Sequence, residues 1–147
     1  MEGAKLKSMA RITRSMARKK AFEIIFASIA DCEGVSDQLA IFAEENPKYE
    51  RQFGFITKDS AGAISDMEEI KECVDRNISK SWSYARLSKM CRAILLLAVY
   101  EMKNIDDVPL KVAINEAVEL AKAYGDENEP SLVNGILGSV MRNECNE

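Results

Sequence analysis

A chain of 147 residues, 47% hydrophobic and 30% charged, has room for one domain and the apolar material for a real core, which excludes a disordered chain or one that needs metal or disulfide staples. It contains no histidine, so imidazole acid–base catalysis and histidine triads are excluded, and zinc and haem lose their usual ligand. The net charge of −4 is unevenly spread: residues 1–20 carry Lys5, Lys7, Arg11, Arg14, Arg18, Lys19 and Lys20 against Glu2 alone, a net +6 that leaves −10 for the rest, and such an excess suits either an anionic partner such as nucleic acid or a solvated terminus.

Residues 1–13 are expected to be a basic N-terminal extension that need not be ordered, followed by one helical domain over 14–147. The first helix is expected over Arg14–Cys32, because Ala21, Phe22, Ile25, Phe26 and Ile29 recur at spacings of three and four and so share a face. Gly34 would stop it. A second helix would start near Ser36 as N-cap, carry Leu39, Phe42 and Ala43, and end at Asn46-Pro47. Between Tyr49 and Ser79 the apolar spacing is again helical, with Asp59, Ser60 and Gly62 predicting a kink or two shorter helices. Trp82 sits in a break. The stretch Arg86–Lys103 is apolar almost all round from Cys91 to Ala98, which places it at the centre of a bundle. Asp106-Asp107-Val108-Pro109 would open the next helix, with Val112, Ile114, Ala117, Val118 and Ala121 as its buried stripe and Tyr124-Gly125 as its end. The last helix is expected over about Ser131–Asn143. The fold class is therefore all-α, with six to seven helices in two packed helical bundles.

Several chemistries find no support. No GxxxxGK[ST] or GxGxxG cradle occurs. Neighbouring acids such as Glu68-Glu69 diverge on a helix and read as solvated surface. Cys32, Cys73, Cys91 and Cys145 are far apart, form no metal-ligand pair, and read as small apolar residues in a reduced compartment. No apolar run is long enough to span a membrane. No cofactor, metal site or catalytic residue is expected, and the chain is not expected to be an enzyme. The positive signal is the basic head: Arg14 and Arg18 are four apart on one helix face, Arg11 would extend it if the helix starts earlier, and Lys19 and Lys20 flank it. Such a stripe can follow the phosphates of a nucleic-acid backbone, and arginine can stack on unpaired bases.

Two segments resemble the NusB family: Asp107-Val108-Pro109-Leu110-Lys111-Val112-Ala113-Ile114-Asn115-Glu116-Ala117-Val118-Glu119-Leu120-Ala121-Lys122 with Tyr124-Gly125, and Val133-Asn134-Gly135-Ile136-Leu137. Trp82-Ser83, Arg86-Leu87, Arg92-Ala93-Ile94-Leu95 and Tyr100-Glu101 look like the family's central helix pair, and Ala17-Arg18 and Ala21 its arginine-rich first helix. The resemblance spans about residues 14–140. It implies two perpendicular helical bundles and a cytoplasmic transcription antitermination factor. Such a factor binds single-stranded boxA-type RNA jointly with the ribosomal protein NusE, within the transcription elongation complex of ribosomal RNA operons. Carried over, it marks Arg14 and Arg18 as RNA-binding, Tyr124 as a base contact or a packing residue, and Cys91 and Arg92 as candidates for the partner surface. Ser15 and Met16 stand where the family often has basic or polar residues, and Leu132 where an aromatic is common. Two other readings stay open: a protein–protein module with little RNA binding, and a domain accompanying a ribosomal RNA methyltransferase, which would need a catalytic domain downstream. Monomer and homodimer are both open. Replacing Arg14 and Arg18 together by alanine is expected to leave folding intact and weaken RNA binding.

Overall fold

The computed structural model describes residues 11–31 and 34–145, so Lys5, Lys7, Cys32 and most of the predicted N-terminal extension lie outside the described residues. Among the described residues there are seven α-helices: α1 (Arg14–Asp31), α2 (Val35–Glu45), α3 (Phe53–Ser65), α4 (Met67–Arg76), α5 (Lys89–Asn104), α6 (Leu110–Tyr124) and α7 (Glu129–Glu144). Short 3-10 turns at Pro47–Gln52 and Tyr84–Arg86 lead into α3 and α5. Helices α1, α2 and α3 pack on one another, as do α4, α5, α6 and α7. Helix α5 also lies against α1 and α3, so one helix joins the two groups. Every residue from Ala93 to Met102 on it is buried, as its apolar circumference requires.

The helix boundaries differ from the predicted ones where capping decides them. Ser36 is not an N-cap: Gly34 holds that place with extended backbone, and Ser36 is exposed in the first turn. Thr13 caps α1 by accepting the Met16 N–H at 3.1 Å. Ser88, not Arg86, opens the central helix, its hydroxyl accepting the Cys91 N–H at 3.0 Å. Helix α6 begins after Pro109 and has no acid in its first turn, so Asp106 and Asp107 belong to the preceding turn. Its buried stripe is Ala113, Ile114, Ala117, Leu120 and Ala121, whereas Val112 is 43% exposed. Helix α7 starts two residues earlier than predicted, with Pro130 inside its first turn.

The predicted interruption near Asp59 to Gly62 lies instead at Asp66, between α3 and α4. Ser60 is tolerated inside α3 because its hydroxyl donates to the Ile56 carbonyl at 2.7 Å, satisfying itself within the helix. Gly62 serves a close approach: a Cβ there would lie 2.3 Å from Cζ of Tyr100 on α5. At the far end of the molecule, Glu144 ties α7 to α4 and α5 by ion pairs with Arg76 at 2.6 Å and Lys103 at 3.0 Å. The Arg76 hydrogen bond is the main reason its carboxyl is held well below the usual range, with Lys103 and Asn77 adding to it.

Gly62→Ala is expected to force the nearly buried Tyr100 ring off its site. Overpacking of this kind costs about 1–3 kcal/mol. Urea unfolding should show a lower midpoint with an unchanged slope; an unchanged midpoint would mean that the ring has room to swing aside.

Candidate nucleic-acid interface

The head of α1 is built around one side chain that does not reach solvent. Arg18 is 4% exposed. Its Nε and Nη2 donate to the two carboxylate oxygens of Glu101 on α5, at 2.7 and 2.9 Å. Its Nη1 donates to Glu116 on α6 at 2.9 Å. Burial is the largest single influence and works to lower the guanidinium's pKa, but the Glu101 hydrogen bonds together with the charges of the nearby acids outweigh it and the net shift is upward. The planar fork matched to a carboxylate is the geometry that makes arginine suitable for a buried pair.

Asp59 on α3 faces the same cluster with no exposure at all. Burial, then the neighbouring Glu101 carboxylate, push its pKa up to about 10 against the opposing pull of Arg18 and Arg14. It is therefore neutral at pH 7. Neither of its oxygens has a hydrogen-bond partner among the described residues. Four helices, α1, α3, α5 and α6, thus meet at one guanidinium, two carboxylates and one uncharged carboxyl.

The other head residues divide around this anchor. Arg11, Arg14 and Lys19 are exposed, and Lys20 is half-buried. Arg14 lies 4.1 Å over the Phe55 ring of α3, a cation–π contact that steadies it without using its hydrogen-bond donors. Lys19 points to the opposite flank, 5.5 Å from the Tyr124 ring at the end of α6; the Tyr124 hydroxyl raises its ammonium pKa. Lys20 pairs with Glu23 at 3.3 Å. Tyr124 packs on Phe22 at 5.1 Å between centroids and is half-buried, so it serves packing and borders the surface at once. The Ser15 hydroxyl is engaged by Glu116, and Met16 is 40% exposed.

The structure therefore brings Arg11, Arg14, Lys19, Lys20 and Tyr124 to the accessible part of the head, while Arg18 is turned inward. Arg14 and Arg18 do share a helix face, but that face rotates from rim to core within one turn. Sequence spacing did not single out Phe55, Asp59, Glu101 or Glu116. The available signal was Glu101 itself, a lone charge in the apolar run of α5, which requires a buried counter-charge. Of the partner-surface candidates, Cys91 is 1% exposed, and burial pushes its thiol up to about 12. Arg92 is half-buried and lines a cleft with Ile29, Val35, Ile64, Met67 and Tyr84, where its Nε has no hydrogen-bond partner. Among the described residues, no group of acids and cysteines is placed to hold a metal ion, and no helix is long and apolar enough to cross a membrane.

Comparison with known proteins bears on this arrangement. The model of the NusB family matches residues 15–142. The transcription antitermination protein NusB of Acetivibrio thermocellus is 38% identical over 129 residues, covering 88% of either chain. Among solved structures, T. maritima NusB is similar with a TM-score of 0.83 at 29% identity, over 92% of this chain and 95% of that one. A chain in the crystal structure of antitermination factors NusB and NusE in complex with dsRNA is similar with a TM-score of 0.78 at 25% identity, over 88% of this chain and 96% of that one.

Two expectations follow from the buried cluster. Arg18→Ala leaves two carboxylates without their counter-charge, and breaking a buried pair from one side costs about 3–5 kcal/mol. The melting temperature should fall steeply, contrary to the expectation that a double replacement of Arg14 and Arg18 spares folding; an unchanged melt would make the pair dispensable. Asp59 has a folded pKa above its unfolded value of 3.8. Its contribution is therefore complete below that value and lost as pH rises towards the folded pKa. Asp59→Asn should flatten this decline, so melts at pH 5 and pH 8 should show the variant gaining on the parent as pH rises. A difference independent of pH would show that Asp59 does not titrate this way.

Proposed function

The chain belongs to the NusB family, and we propose that it is a transcription antitermination factor that binds single-stranded boxA-type RNA jointly with NusE in ribosomal RNA operons. The observation that carries the reading is the outward display of Arg14 and Lys19 on a helix whose inward arginine is locked to Glu101, with Arg11 exposed just before that helix. A helix held in this way presents its cations without further ordering, so the entropy cost of binding is already met in folding. Each phosphate neutralised releases counter-ions, which gives affinity and a strong salt dependence. The similarity to a chain crystallised with NusE and dsRNA supports both partners.

The mechanism is scaffolding and involves no bond-making step, in keeping with a family of antitermination factors and not of enzymes. The RNA strand lies along the α1 head, with Arg14 and Lys19 on phosphates and the Tyr124 edge beside a base. NusE completes the surface, so that each ligand raises the affinity of the other by the same factor. The factor then works within the elongation complex, in the compartment where transcription takes place.

A second reading has one specific observation in its favour. Ser15 is tied to Glu116, and Glu116 and Glu119 line the cleft beside Lys19. Acids at that place oppose phosphate and would suit a module that binds protein without RNA.

Fluorescence anisotropy of a labelled boxA-type RNA, with and without NusE and across salt, separates the two. Each phosphate contact should contribute about −0.7 to the log–log salt slope for a single strand, so Arg14→Ala and Lys19→Ala should each flatten it by roughly that amount and leave the melt unchanged. A duplex of the same sequence is the control, because the relative above was crystallised with dsRNA. No RNA binding with folded NusE present would establish the protein-only module.

A further inference from the structure

The chain's one tryptophan lies away from the α1 head, and 46% of its surface is exposed. A single exposed apolar side chain needs no explanation; the surroundings of this one carry the argument. Trp82 is not a loose side chain on a loose loop. Its backbone N–H donates to the Ser79 carbonyl at 2.9 Å. Arg86 Nη1 donates to the Ser81 carbonyl at 2.8 Å and its guanidinium lies 5.5 Å from the indole ring. Asp75 at the end of α4 accepts the Tyr84 N–H at 2.7 Å and fastens the other side of the loop. The indole is thus presented on a braced turn.

Two clefts adjoin the indole. One, of about 500 Å³, runs between Trp82, Ile78 and Gly135; the other, of about 390 Å³, runs between Trp82, Arg86 and Asn128. Leu132 borders both. The charge around them is distinctive in an acidic protein: residues 76–100 contain Arg76, Lys80, Arg86, Lys89 and Arg92 and no acid. Arg76 is taken by Glu144, and Arg92 lines a different cleft. Lys80, Arg86 and Lys89 are exposed and form no ion pair among the described residues. Asp126 and Glu129 also line the second cleft; Asp126 is exposed, whereas Glu129 is buried and accepts from the Ser88 hydroxyl at 3.0 Å. An exposed carboxylate repels phosphate and accepts base amino groups, so a strand entering here keeps its phosphates near Arg86 and away from Asp126.

We propose that Trp82 is a stacking platform for a base of single-stranded RNA, with Lys80, Arg86 and Lys89 receiving the adjoining phosphates. The proposal rests on the RNA-binding reading above and extends its site from the α1 head to the α5–α7 end. The two places are joined by a short segment: Tyr124 lies beside Lys19, and Asn128 beside Trp82. Asn128 is four positions after Tyr124, so their Cα atoms are at most about 14 Å apart. A strand rising roughly 3.4 Å per stacked nucleotide crosses that gap in about four nucleotides.

Because Trp82 is the only tryptophan, its emission reports this site alone. Unlabelled single-stranded boxA-type RNA should quench it with the midpoint that anisotropy of the labelled RNA gives. Trp82→Ala should weaken RNA binding about 5- to 150-fold with the salt slope kept, Trp82→Phe should retain most of the affinity, and Arg86→Ala should flatten the slope by about 0.7. Helical circular dichroism and melts of each variant confirm the fold. RNA that binds by anisotropy without altering Trp82 emission, and binds Trp82→Ala as tightly as the parent, overturns the proposal and leaves the RNA-binding reading intact. Absence of any anisotropy change overturns both. Quenching that grows with protein concentration in the absence of RNA assigns the face to a second copy of the chain and overturns the proposal.

Discussion

The placement of α1 depends on the Arg18–Glu101 pair. Glu101 lies in the most apolar helix of the protein and is 1% exposed, so it cannot remain charged there without a partner. Arg18 supplies that partner with two hydrogen bonds and spends a third on Glu116. A buried pair adds little net stability over an apolar equivalent. Its directional bonds do something apolar contacts cannot: they set the rotation and the position of α1 along its own axis against α5 and α6 at once. Ala17, Ala21, Phe22 and Ile25 then fill the same interface with no exposed surface worth noting.

This constraint accounts for the positions of Arg14 and Lys19. With Arg18 inward, the helix period puts Arg14 one turn earlier on the same side, at the rim, where it rests on Phe55. Lys19 is rotated by ~100° from Arg18, which carries it to the α6 flank beside Tyr124. Ser15, on that flank one turn before, is within reach of Glu116. The accessible cations thus occupy two flanks of the helix and do not form a single stripe, and a strand that meets both must cross over the α1 terminus.

Much of the architecture was legible in the sequence, for reasons that are specific. The run from Cys91 to Ala98 can only be central, and it is. The glycine and proline punctuation located most of the connections. Exact starts were not legible at α2, α5 and α6, because cap choice turns on one backbone conformation: Gly34, Ser88 and Pro109 took the places that pattern alone assigned to Ser36, Arg86 and Asp106. Val112 and Ala113 are neighbours of opposite fate, and hydrophobicity ranks them the wrong way round. Asp59 and Ser60 looked like a break because polar residues weaken a helical pattern, but Ser60 bonds to its own helix and Asp59 is carried into the core uncharged.

The candidate site was less legible than the fold, and Arg18 shows why. Periodicity groups residues on a face without saying whether the face meets water or protein, and a cation reads as exposed by default. What distinguishes a structural arginine from a ligand-binding one is the complementary charge elsewhere in the chain, here Glu101, more than eighty residues away. The same logic runs in reverse for Trp82. A lone tryptophan in a connection reads as a packing residue until its surroundings are known; around it Lys80, Arg86 and Lys89 form no ion pair among the described residues. Buried charge that is matched holds the protein together, and surface charge that is unmatched is left for a ligand. By that criterion the cations at the α1 rim and around Trp82, with the α6–α7 connection between them, are free to meet one.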